Sequence, residues 1–110
     1  SYAAWVVPPT PEAVRGYPEW LYGSLDTDQR LDLAVLIELD ESAPTARRAD
    51  TERRLHLSDG TGVVWILNPF SGTVRIYTEP TKGRMLLTGA NVDGGDVLPG
   101  FSCRVADLFA

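Results

Sequence analysis

Leu31-Asp-Leu-Ala-Val-Leu-Ile-Glu-Leu39 is the run from which the rest of the chain can be organised. Successive side chains of an extended strand point to opposite faces. Leu31, Leu33, Val35, Ile37 and Leu39 therefore share one face, and Asp32, Ala34, Leu36, Glu38 and Asp40 share the other. The run reads as the central strand of a sheet. Downstream of it, an Ala- and Arg-rich stretch predicts a helix over Thr45–Ser58, entered after Pro44 and closed by Asp59-Gly60, since Gly is the residue type favoured just past a helix end.

Beyond the helix the pattern returns to strands. Gly62–Leu67 is apolar, Asn68-Pro-Phe-Ser-Gly72 carries turn residues, and Thr73-Val-Arg-Ile-Tyr-Thr78 alternates, so the three together predict a hairpin with one wet face. Lys82-Gly83 is expected to turn the chain into Arg84–Thr88. Asp93-Gly-Gly-Asp96 is expected to turn it again before Val97-Leu98, and Phe101–Val105 to lead into one helical turn at Ala106–Phe109. Upstream, Tyr2–Val7 is a short run of β-formers stopped by Pro8-Pro9. Residues 8–25 are broken by six Pro and Gly residues, with a short helix signalled by Thr10-Pro11-Glu12. Tyr17, Trp20 and Tyr22 give this excursion an aromatic content that calls for a surface to pack on. The order strand, strand, helix, strand, strand predicts an α/β (α+β) domain: a mixed β-sheet with one main helix and short flanking helices.

Composition bounds the function. The 110 residues, 44% hydrophobic, predict one domain spanning residues 1–110 with one modest core. A net charge of −5 repels polyphosphate, so any nucleic-acid contact needs a local patch. One Cys and one His supply neither an internal disulfide nor a four-ligand structural zinc site. No apolar run reaches the ~18 residues of a spanning helix and no export signal is visible, which together predict a cytoplasmic protein without a transmembrane segment. The opening residue is Ser1, so loss of the initiator Met or of upstream residues is expected.

The closing third, Val63-Val-Trp-Ile-Leu-Asn-Pro69, Asp93-Gly-Gly-Asp-Val-Leu-Pro-Gly-Phe101 and Ala106-Asp-Leu-Phe109, resembles the end of the bacterial Uma-two family. These are restriction-endonuclease-like domains of the PD-(D/E)XK nuclease superfamily, mostly of unknown function. The resemblance implies a reduced restriction-endonuclease-like core that lacks the section usually ahead of the strand at Tyr2. It also marks where chemistry should sit. Family members carry two proline-aspartate pairs, a glutamate after the second pair, and a lysine on the following helix. Here Ser1-Tyr2 and Leu31-Asp32 stand at the two pairs, Leu36 at the glutamate, and Glu52 at the lysine. Only Asp32 matches.

A metal-dependent nuclease needs two or three oxygen ligands within a few Å of Mg²⁺ and a positive group beside them. Leu36 can provide no ligand. Asp32 and Glu38 on one extended strand lie roughly 20 Å apart, whereas Glu38 and Asp40 are about 6 to 7 Å apart and would need a third ligand from elsewhere. The expectation is therefore a degenerate nuclease domain without cofactor, serving as a structural or protein-binding subunit of a larger assembly. Tyr17, Trp20 and Tyr22 would anchor its partner, whether a second copy or another protein. The alternative is an active Mg²⁺-dependent endonuclease using Asp32, Glu38 and Asp40. The remaining features have plainer readings. Arg47, Arg48, Arg53 and Arg54 stand at i,i+3 and i,i+4 spacing to Asp50 and Glu52, which predicts a solvated, ion-paired helix face. His56 is expected to pack, Asp93 and Asp96 to flank a turn, and Cys103 to be a small core residue.

Overall fold

The structure, a computed structural model, describes residues 32–38, 40–97 and 99–109. Strand β1 (Leu33–Ile37) leads to helix α1 (Ala43–Ser58), followed by β2 (Val63–Asn68), β3 (Thr73–Glu79) and β4 (Lys82–Leu86). These four strands form one sheet in the order β1-β2-β3-β4. β1 and β2 run parallel, joined across the sheet by α1, and the other two pairings are antiparallel hairpins. Strands β5 (Asn91–Asp93) and β6 (Ser102–Arg104) make a small separate sheet that runs into a 3₁₀ turn at Val105–Phe109. This is the mixed α+β arrangement expected, a reduced restriction-endonuclease-like core. The Tyr2–Val7 strand and the aromatic excursion with Tyr17, Trp20 and Tyr22 lie outside the described residues.

The alternation of β1 sorts its side chains as the pattern requires. Leu33 and Val35 enter one apolar cluster with Val63, Trp65, Leu67, Val74 and Ile76, closed over by Val92, Val105 and Leu108 from the small sheet and the 3₁₀ turn. Ala34 and Leu36 enter a second cluster with Val64, Ile66 and Ala49 of α1. Leu33 to Leu36 and Val63 to Leu67 are all buried, because a parallel pair covered on both faces has no wet side. β3 is different: Val74 and Ile76 are buried on one face, while Arg75 and Tyr77 lie half-buried on the α1 face.

Helix α1 starts two residues earlier than the sequence signals suggest. Ser42 caps it, its Oγ accepting from the Thr45 amide at 3.3 Å. Pro44 falls within the first turn, where a missing N–H removes no helical bond. The predicted exit is found: Gly60 has φ +99°, and the Thr61 amide bonds back to the His56 carbonyl at 3.0 Å. One turn moves. Lys82-Gly83 is not a turn but the start of β4, paired with Glu79 and Tyr77, and the reversal falls on Pro80-Thr81. The glycine is needed for packing, because the Tyr77 ring lies directly over Gly83, where a Cβ would stand 2.6 Å from its Cζ and closer still to Cε2.

Candidate functional site

The charged residues of greatest interest gather between α1 and the sheet. At the end of β1, Glu38 is 6% exposed. Its carboxylate faces the Arg75 guanidinium of β3 at 3.5 Å. Arg75 also lies 3.3 Å from Asp50 of α1 and donates to the Tyr77 hydroxyl at 3.2 Å. Burial works against the charge of Arg75. Tyr77, Glu38 and Asp50 more than offset it, so its pKa is raised. Arg53 completes the group. It is 5% exposed, lies 3.3 Å from Asp50, donates to the Pro80 carbonyl, and stacks with its guanidinium 4.1 Å from the centre of the Tyr77 ring. Its Nε is buried without a partner among the described residues.

This cluster corrects the solvated reading of the arginine helix at Arg53 alone, since Arg47, Arg48 and Arg54 are exposed. Arg48 does pair with Glu52 along the exposed side at 3.7 Å, as the i,i+4 spacing predicts. Arg53, by contrast, is a buried cross-link between α1 and the β3–β4 hairpin, and Leu55 takes the solvent-facing position at 63% exposure. Sequence reasoning also missed Arg75 and Tyr77. The available signal was their i,i+2 spacing on the face of β3 opposite Val74 and Ile76, with Glu38 on the corresponding face of β1.

The other candidates are dispersed. Asp32 is exposed ahead of β1, at the opposite end of that strand from Glu38. Asp40 accepts from the Ser42 amide at 2.8 Å and from the Thr45 hydroxyl at 2.7 Å. These bonds hold its carboxyl below the usual range. It organises the helix entrance. Among the described residues no group of three or more His, Cys, Asp or Glu side chains converges as a cation site. His56 is half-buried and borders a shallow 500 Å³ groove with Glu52, Leu55 and Asp59. Asp93 accepts from the Gly95 amide at 3.0 Å, which is turn chemistry. Cys103 is half-buried beside the apolar cluster, and burial, then the Asp107 charge, raise its thiol pKa. No described helix is long and apolar enough to cross a membrane.

Comparisons with known proteins agree with this architecture. No family model matches the chain, and no curated protein matches it. Among solved structures, it is similar to the crystal structure of a candidate nuclease belonging to DUF820 from Anabaena variabilis ATCC 29413, with a TM-score of 0.56 and 21% identity. The match covers 71% of this chain and 43% of that one, so the chain spans less than half the length of that neighbour. At this identity the likeness is one of fold alone.

Proposed function

We propose that this domain is a nuclease-fold unit of the Uma-two type that does not cleave nucleic acid and serves as a protein-binding, structural subunit. The observation that carries this reading is Leu36. It stands where the resemblance puts a metal-binding glutamate, and it is 2% exposed, packed with Ala34, Val64, Ile66 and Ala49. A methyl-terminated side chain in that position offers no electron pair to a metal, and it is packed into an apolar cluster. The nearest carboxylate along the strand, Glu38, is already matched by Arg75. A buried carboxylate held by a guanidinium is a structural tie, since either partner left alone would be strongly destabilising. The partner-binding role draws on exposed apolar side chains, Leu55, Phe70, Met85 and Leu87, together with the aromatic trio Tyr17, Trp20 and Tyr22.

The test is incubation of the protein with single- and double-stranded DNA in Mg²⁺ or Mn²⁺. No product is expected. Cleavage that disappears in Asp32→Asn would overturn the reading and restore a metal-dependent endonuclease.

A further inference from the structure

We propose that the open edge of β4 takes an extended segment of a partner protein in which acidic and apolar residues alternate. The two edges of the four-stranded sheet differ. Leu33 to Leu36 of β1 are buried, whereas Lys82 to Met85 of β4 are all exposed, and among the described residues β4 pairs only with β3. The β4 side is therefore the one where a strand can be added. Such an edge presents N–H and C=O groups that another strand satisfies through its own backbone, while the alternate side chains decide which strand fits.

The side chains of β4 select the occupant. Register places Arg84 beside Ile76, and alternation puts Lys82 on the same face, where the two cations border a shallow 360 Å³ hollow with Ile76 and Thr78. On the other face stand Gly83, beside Tyr77, and Met85, which is 57% exposed. Residues directly opposite each other across a strand pair share a face. An added strand that sets acids opposite Lys82 and Arg84 therefore sets its intervening residues opposite Gly83 and Met85, where apolar side chains fit beside the Tyr77 ring and the thioether. A second β4 would instead bring further cations to the charged face, and like charges there are unfavourable. The cations are not spent on their own neighbours. Lys82 lies 3.7 Å from Glu79 and Arg84 3.8 Å from Asp93, beyond hydrogen-bond range, and all four side chains are more than half exposed. Ion pairs this exposed contribute little, and both cationic heads keep N–H donors for a further carboxylate. Phosphates would also meet the cations, but they carry acceptors alone, so the C=O groups of the edge would stay unmatched.

This inference rests on reading the domain as a protein-binding unit and names the chemistry of its partner. The probe is a fluorescein-labelled peptide, Thr-Val-Glu-Val-Glu-Val-Thr with blocked ends, titrated with the full chain and followed by fluorescence anisotropy. Binding is expected, and the double variant Lys82→Glu, Arg84→Glu should weaken it by about ten-fold or more while gaining affinity for the same peptide with Lys in place of Glu. Methylating alternate peptide nitrogens on the bonded side should abolish binding, since the strand then has no N–H to give. No binding at millimolar concentration would overturn the proposal, as would equal binding of the Lys peptide or of the N-methylated one by the unaltered chain. Tighter retention of a single-stranded DNA oligonucleotide, lost in the double variant, would overturn it in favour of nucleic acid. DNA cleavage with peptide binding intact would refute the inactive reading and leave the β4 edge standing, whereas an inactive chain that binds no peptide would do the reverse.

Discussion

The stack of Gly83, Tyr77 and Arg53 supports a quantitative prediction. Gly83 lies under the Tyr77 ring, and the Arg53 guanidinium lies 4.1 Å from the same ring's centre, so the ring is held between them. In Gly83→Ala the new methyl would sit 2.6 Å from Tyr77 Cζ, against the roughly 3.5 to 4.0 Å of an unstrained carbon contact. The ring must retreat by about 1 Å. Arg53 is 5% exposed and has little room to follow. Leaving the stack costs about 0.5–2 kcal/mol of cation–π attraction, and an off-rotamer Tyr costs about 0.5–1.5 kcal/mol more. Against this, Ala is favoured over Gly inside a strand by roughly 0.5–1 kcal/mol. The net expectation is a loss of about 1–2 kcal/mol, read by urea denaturation monitored by circular dichroism. In a Tyr77→Ala background the clash is gone, and the same change should be neutral or slightly stabilising. Equal losses in both backgrounds, or no loss in the wild type, would refute the account of why a glycine occupies β4.

Four further outcomes are expected. Arg53→Met should destabilise by about 1–3 kcal/mol, because it removes the donor to the Pro80 carbonyl and the cation stacked on the Tyr77 ring. Arg53→Lys should rescue only part of that loss, since a point charge cannot stack or fork as a guanidinium does. A Cβ at Gly60 meets nothing. Any loss in Gly60→Ala, expected at about 1–2 kcal/mol in chemical denaturation, should therefore come from the positive φ alone. Asp40 has a depressed folded pKa, so its contribution is present above the unfolded carboxylate value and lost as pH falls through the folded one. The melting-temperature gap between wild type and Asp40→Asn should therefore close below about pH 4, and a gap that stays constant would remove the capping role. Trp20→Ala should weaken association by about 2 kcal/mol or more if Trp20 is a partner anchor, and lower folding stability alone if it is core, which equilibrium sedimentation and denaturation on one variant distinguish.

How much of this was legible in the residues depends on the range of the interaction. The two faces of β1, the α1 exit at Asp59-Gly60, the β2–β3 hairpin and the Arg48–Glu52 pair are set by neighbours within a few positions, so periodicity and turn chemistry suffice to place them. The Pro80-Thr81 turn was missed because Lys82-Gly83 looks like turn chemistry locally. Its glycine answers to Tyr77 across the strand pair.

The central charge cluster was decided by tertiary structure. Glu38 and Arg75 are 37 residues apart, and Asp50 and Arg75 are 25 apart. Nothing local brings them together. They meet because the crossover from β1 to β2 lays α1 across the sheet, and the side of α1 turned inward carries Ala49 and Arg53 while Leu55 faces water. A helix this polar has no broad apolar stripe from which its inward side can be read. Its rotation is set by what the sheet offers, and the Tyr77 ring and the Arg75–Glu38 pair exist as a surface only once β3 has folded back on β2. The sequence alone determined the elements and their apolar faces, because alternation and capping are short-range. Which charges are buried, and against which partners, was settled only when those faces closed on one another.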